Sequence, residues 1–452
     1  MKWITLLGFG AAALTASPAS GQAPVSRPTS LDDLLDSTGT LWKQDGRAFM
    51  ADHANLGFRW ESATHDTVRA QHLTFHGLPA VETLARFNHD TLTGLTLSLY
   101  NRGDAGVLSE AEFQQFLTEV DARLTAWAGA KGIAFKTQER TATATIHRKA
   151  WVREPYRVDL VSSYSEKSRN QGIAAVLPEY ARLEILKFDP LQDPRKSALV
   201  GTPPPPKSIS ALDLKQRVRH QPDGDVIIPS VPMVDQGEKG YCAAAVCERV
   251  LRYYGRNLDQ HEIAQLARTS AGGGTSPEQM VAALRRISDE THMDVTALHE
   301  FNLHDFDQLV TDYNRIAKKA RKPEIELRHR QGNLTIIESP LLAYHDMDPA
   351  LLKEARLKHD SQLAEFKSTV NKSINNGVPL TWGCVVGVIQ EKPEINGFGG
   401  HMRLIIGYND RSPAILYTDT WGAGHELKRL SLADAWAITI GLYCLQPRDV
   451  HF

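Results

Sequence analysis

The segment "DQGEKGYCAAAVC", Asp235 to Cys247, holds two thiols, and only one is placed to react. Cys242 stands where a glycine-bearing loop gives way to a helical pattern, and a helix N-terminus favours the thiolate over the thiol. Cys247 lies further along the same helix, rotated by about 140° from Cys242, so the two side chains diverge and cannot bridge. A nucleophilic thiol needs a base, and the base needs an acceptor that holds its tautomer. His401 in "GFGGHMRLIIGYND" is the candidate base: Gly399 and Gly400 allow close backbone approach, and a strand-like run follows. Asp419 in "YTDTWG" is the candidate orienting carboxylate, on the next strand-like run after a turn around "NDRSP". Gln236 can offer a side-chain amide to an oxyanion, next to the backbone N–H of Cys242. The expected catalytic set is therefore Cys242, His401, Asp419 and Gln236.

These segments resemble papain-like cysteine peptidases. "DQGEKGYC" has that family's spacing from oxyanion glutamine to nucleophile. "GGHMRLIIGY" and "YTDTWG" are similar to its histidine strand and its Asn-Ser-Trp-Gly segment, with Asp419 in place of the asparagine and Trp421 at the shielding tryptophan. "YCAAAVCERVLRYYGRNLDQHEIAQLA" is more similar to the double-glycine, bacteriocin-leader-processing branch, which also uses aspartate as its third member. The resemblance covers roughly residues 225 to 452 and leaves 24 to 205 without a counterpart. It implies a cysteine peptidase that acts on a peptide or protein substrate without a cofactor, and the leader pattern over 1–23 makes that an exported one. The alternatives are a transglutaminase-like acyl transferase or amidase with the same triad, or a non-catalytic binding protein that keeps the fold.

The elements that must position these residues are legible as patterns. "PLTWGCVVGVI", "HMRLIIGY" and "AILYTDTW" are strand-like runs rich in β-branched and aromatic residues. "GGGTSPEQMVAALRRI" reads as a glycine loop, a Ser276 cap, Pro277 at the first helical position and an amphipathic helix. A polar, mostly helical stretch fills about 300 to 375. Helices first and strands after predict an α+β domain over 206–452. The prolines of "GTPPPPKS", residues 201–208, cannot continue a helix or a central strand and mark a boundary. Before it, Leu95, Leu97 and Leu99 alternate as in a strand, and Phe113, Phe116, Leu117, Val120, Leu124 and Trp127 recur at helical spacing behind a Ser109/Glu112 capping box. With the strand-like "TATATIH", "YRVDLVSSY" and "ARLEILKF", this predicts a smaller α+β domain over 24–205. The expected fold class is thus α+β, a papain-like domain preceded by a smaller α+β domain.

Composition narrows the function classes. A chain of 452 residues with 42% hydrophobic and 23% charged residues is ordinary for globular protein, and a net charge of -2 gives no reason to expect nucleic acid or an anionic membrane surface. Lys2, the apolar run from Ile4 to Ala16 and the small residues after it have the layout of a secretory signal peptide over 1–23, which implies a secreted or periplasmic protein with no later membrane span. Four cysteines are too few for a disulfide framework, and Cys247, Cys384 and Cys444 read as core residues. "NRGDAGVLSEAE" lacks calcium ligands at Gly103 and Ala105. His299 and His304 in "HEFNLH" are spaced wrongly for a shared helical face, so no metal site is expected.

Overall fold

In the computed structural model, the described residues are 29–450, apart from 36–37, 63, 136–138, 141–143, 167–175, 197–208, 238–240, 257, 259, 267–280, 283–284, 286–292, 332–333, 338 and 396. The proposed signal segment, the proline run and most of the Ser276 helix lie outside them. The chain divides into two compact units, one ending at Pro205 and the other beginning at Pro206.

The first unit is organised by a nine-stranded antiparallel sheet. Thr67–Phe75, Leu78–Asn88 and Thr91–Asn101 form a meander, and Val176–Lys187, Tyr156–Glu166 and Ala144–Arg153 continue it across the sheet. Register explains why these strands hold together: Leu97 faces Leu183, Leu95 faces Ile185, and Val158 also faces Ile185. All five are almost completely buried, so each cross-strand pair adds apolar contact to its ladder hydrogen bonds. One long helix, Glu110–Ala128, buries Phe113, Val120, Leu124 and Trp127. Its start is fixed by the capping box: the Ser109 hydroxyl accepts from the Glu112 N–H at 3.3 Å, and the Glu112 carboxylate accepts from the Ser109 N–H at 2.8 Å. Gly129, in the left-handed region at φ +67°, ends it.

The second unit is built on an eight-stranded antiparallel sheet. Gly399–Asn409 pairs with Leu380–Val386, Ala414–Thr418 and Asp225–Ile227, and Thr439–Pro447 joins Leu380–Val386 to Met293–His299. Lys428–Ser431 pairs with Ala414–Thr418. The helices Cys242–Tyr253 and Asp360–Asn375 both pack on Gly399–Asn409.

The expected fold class is corrected by this architecture. The chain is framed by two large antiparallel sheets, where an α+β papain-like domain behind a smaller α+β domain was expected. The sequence reading gave the first unit a helix packed on a sheet and named four strand-like runs, at Leu95–Leu99, "TATATIH", "YRVDLVSSY" and "ARLEILKF", against the nine strands of its sheet. The strands it did not name include Thr67–Phe75 and Leu78–Asn88, where polar and charged residues such as Arg69, Glu82 and Thr83 are buried, so polarity does not mark an outer face. In the second unit only three strand-like runs were identified, against the eight strands of its large sheet, because several are short or polar.

Leu124→Ala should destabilise the first unit by about 2–5 kcal/mol, since a fully buried leucine leaves a cavity, whereas Gln115→Ala on the exposed face of the same helix should change stability by less than about 0.5 kcal/mol. Denaturant melts that follow this unit would check both; equal effects would contradict the assigned helix face.

Candidate functional site

Strand alternation and register gather the site on one face of the second sheet. His401 and Arg403 share a face because they are two residues apart. Cys384 lies opposite His401, Trp382 opposite Arg403, Tyr417 opposite Ile405, and Lys428 opposite Tyr417. Asp419 follows directly after the strand Ala414–Thr418 and falls in line with Tyr417. The helix Cys242–Tyr253 places Cys242 at its first residue, with no side-chain cap competing for the first-turn N–H groups.

His401 Nε2 lies 2.5 Å from Asp419 Oδ1, and both side chains are buried. With Nε2 engaged there, Nδ1 is the ring nitrogen left for the Cys242 sulfur, whose interaction with His401 shifts both groups. Burial by itself pushes the imidazole down; the Asp419 carboxylate and then the Cys242 sulfur reverse this and raise it to about 9. Burial likewise opposes a thiolate at Cys242, but the hydrogen bond and charge of His401, with the backbone N–H groups of Met402 and Ala243, hold the thiol below its ordinary value. The two shifts agree in describing a thiolate–imidazolium pair. The Trp421 ring stacks on His401 with centroids 4.3 Å apart at 12°, covering one face of the imidazole.

Asp419 is completely buried yet held well below the usual carboxylate range. Burial resists ionisation there; the Arg403 guanidinium, His401 and the Lys428 ammonium overcome it. Arg403 Nε stands 3.1 Å and Lys428 Nζ 3.7 Å from Asp419 Oδ2. Both cations also meet the buried carboxylate of Glu391, at 3.0 Å from Arg403 Nη1 and 3.2 Å from Lys428 Nζ, and the Tyr417 hydroxyl donates to the same carboxylate. The Arg403 guanidinium further lies over the Tyr417 ring, 4.8 Å from its centroid.

Gln236 is tied to the residue after Asp419. Its N–H donates to the Thr420 carbonyl at 2.8 Å, and its Oε1 accepts from the Thr420 hydroxyl at 2.6 Å, which turns the NH₂ edge of the amide to the opposite side. The neighbouring Asp235 accepts from the Gly237 N–H at 2.8 Å. Gly422, at φ +73°, is required at this junction: a Cβ there would stand 2.7 Å from Asp235 Oδ2.

All four expected residues are therefore brought to one region of the second unit. Sequence reasoning missed Arg249, whose guanidinium donates to the carbonyls of Asp419 at 2.5 Å and Pro232 at 2.7 Å and to the Thr418 hydroxyl at 2.8 Å. Two turns below Cys242 on the same helix face, it staples the thiol-bearing helix to the peptide unit of Asp419. It also missed Arg403, Glu391, Tyr417 and Lys428. A signal existed for two of these: Arg249 interrupts an apolar helix start, and Arg403 interrupts an apolar strand. The remaining thiols have no such partners. Burial pushes Cys384 and Cys444 up to about 12 and Cys247 higher still. All four cysteines are free. Cys444 pairs in register with Leu380, four residues along the strand from Cys384, too far apart for a bridge.

No family model matches the chain. Over 223 residues the chain is 25% identical to a JmjC domain-containing histone demethylation protein 1 of Aspergillus fumigatus, a match that takes in 48% of this chain and 15% of that protein. The chain thus spans a small part of the curated relative it matches. This finding corrects the reading drawn from the motifs, because the matched protein is not a peptidase. The papain-like superfamily and its double-glycine branch are set aside, and with them the cysteine peptidase, the hydrolase class, and the acyl-transferase, amidase and binding-protein alternatives.

The thiolate should absorb in the far ultraviolet at neutral pH and lose that absorbance in Cys242→Ser, because the other three thiols stay protonated well above pH 9. The sign follows from the two shifts: the ion pair forms as pH rises through the lowered thiol value and dissolves as pH rises through about 9, where His401 gives up its proton. Absorbance that develops only above pH 9 would contradict this arrangement.

Proposed function

We propose that the second unit is a covalent thiol site in which Cys242 is the nucleophile, His401 the acid–base partner, Asp419 the group that orients His401, and Gln236 a donor toward negative charge on the substrate. The single observation that carries this reading is the buried 2.5 Å contact of His401 Nε2 with Asp419, which leaves Nδ1 to the Cys242 sulfur that His401 shifts. Cys242 adds its sulfur electron pair to an electrophilic carbon and forms a C–S bond. The imidazolium proton passes to whichever substrate atom gains the displaced electron pair, and His401 is left neutral to take the next proton. Trp421 keeps water from one face of the imidazole, so the pair is not solvated apart. With Cys242 only 7% exposed, the site favours small or slender electrophiles. Export is supported by Lys2 and the apolar run from Ile4 to Ala16.

A second reading rests on the likeness to the Aspergillus protein, and would make this chain a protein demethylase. It requires loss of methyl mass from a methylated histone peptide, independent of Cys242.

Iodoacetamide at pH 6 followed by intact-mass measurement separates the readings. The wild type should gain one adduct, at Cys242, faster than a free thiol reacts. Cys242→Ala should gain none at that rate, and His401→Ala should be slowed by about 100-fold or more, since a buried thiol without its imidazolium is protonated at this pH. Gln236→Ala should alkylate like the wild type, because no oxyanion develops in alkylation. A wild type no faster than its Cys242→Ala variant would overturn the thiol site, and Cys242-independent demethylation would establish the second reading.

A further inference from the structure

The charged residues behind His401 exceed what holding one imidazole requires. Asp419 alone would accept its hydrogen bond, yet Arg403, Lys428 and Glu391 are buried with it, at 0%, 4% and 6% exposure. The two carboxylates are matched by these two cations, and the buried Arg249 guanidinium reaches the Asp419 carbonyl from the helix side, so removing either Glu391 or Lys428 alone changes the charge in which the Cys242–His401 pair stands. In so little solvent, Coulomb energies are weakly screened and a single uncompensated charge is felt over several ångströms.

We propose that Glu391 and Lys428 are positioning residues for the thiol site, a buried carboxylate and a buried ammonium whose balance sets the pH range over which Cys242 and His401 stand as an ion pair. The inference rests on the reading of Cys242 as nucleophile. Neither residue touches the reacting atoms; each acts through Asp419 and Arg403, Lys428 at 3.7 Å from the Asp419 carboxylate and Glu391 at 3.0 Å from the Arg403 guanidinium. The charged and titratable groups around His401 and Asp419 from the surrounding elements are Cys242 and Arg249 on the helix, Cys384 on the neighbouring strand, Arg403 on the histidine's own strand, Glu391 in the loop before it, Tyr417 and Asp419 beyond the next pairing, His425 in the following turn, and Lys428. Among these, Glu391 and Lys428 carry full charges that no reacting group needs for its own hydrogen bond.

The sign of the effect distinguishes a charge role from a packing role. Glu391→Gln removes a negative charge, which favours the thiolate and disfavours the imidazolium. Both limits of the ion-pair range should therefore move to lower pH. Lys428→Met removes a positive charge, and both limits should move to higher pH. Each shift should be about one pH unit. Loss of packing alone would weaken the pair in both variants and bring the limits together, the lower rising and the upper falling. The lower limit is read from thiolate absorbance, and the upper from the NMR titration of His401. The double variant Glu391→Gln/Lys428→Met should return both limits to near wild type.

Translation of both limits in opposite directions in the two variants supports the proposal; convergence of the limits in both variants overturns it. If Glu391→Gln does not fold, the decision passes to Lys428→Met against Lys428→Arg. A shift in the first and none in the second supports the proposal, and equal behaviour overturns it. Wild-type absorbance that survives Cys242→Ser would instead remove the thiol-site reading itself, an outcome distinct from either of these.

Discussion

The second unit depends on keeping a carboxylate ionised where there is no water. Asp419 is fully buried, and an unpaired charge there would be costly enough to neutralise the group or unfold the region. The protein meets this cost with two cations on one carboxylate oxygen, an imidazole on the other, and backbone contacts that leave Asp419 no freedom to move. Its N–H donates to the His425 carbonyl at 3.0 Å, and its own carbonyl receives Arg249. Every other feature of the site follows from that ionised group. The Asp419 carboxylate raises His401, and His401 in turn lowers the Cys242 thiol.

A face of an antiparallel sheet suits this arrangement. Alternation delivers a side chain to the same face at every second residue, and pairing places the rows of adjacent strands side by side. His401 and Arg403 on one strand, Tyr417 on the next and Lys428 on the third form such rows. The thiol comes from outside the sheet, at the first residue of a helix, with the Ala243 N–H among the groups that lower it. Arg249 joins the two by donating from the helix to the end of the Asp419 strand. Relative placement of nucleophile and base is thus secured by buried hydrogen bonds between regular elements, which are stiffer than a loop would be.

The correction of the family reading has a physical lesson. Short motifs report local requirements: a glutamine and glycine before a helix-borne thiol, a histidine at a strand start, an aspartate before a tryptophan and a glycine. Those requirements belong to any nucleophilic thiol served by an oriented imidazole, and convergent sites meet them on different frames. They bear on what Cys242 can do to an electrophile. They do not select the substrate, and the comparison with known proteins gives the peptidase reading no support.

By itself the sequence determined the local pieces. The capping box at Ser109 and Glu112, the helix beginning at Cys242, the strand carrying His401, and the candidate set Cys242, His401, Asp419 and Gln236 all follow from propensity, periodicity and residue chemistry over a few neighbouring positions. Of the nine-stranded sheet only four strands were legible, because others bury charged residues such as Arg69 and Glu82 that read as surface positions in a linear sequence. The buried charges behind the site were hidden too, since Glu391 and Lys428 look like any surface residue in a linear sequence. Only tertiary structure decided their surroundings, because burial of a charge depends on partners distant in the chain. Arg249 reaches Asp419 across 170 residues, and Gln236 reaches Thr420 across 184. Local chemistry names the groups that can react; long-range packing removes the water that would otherwise keep them from doing so.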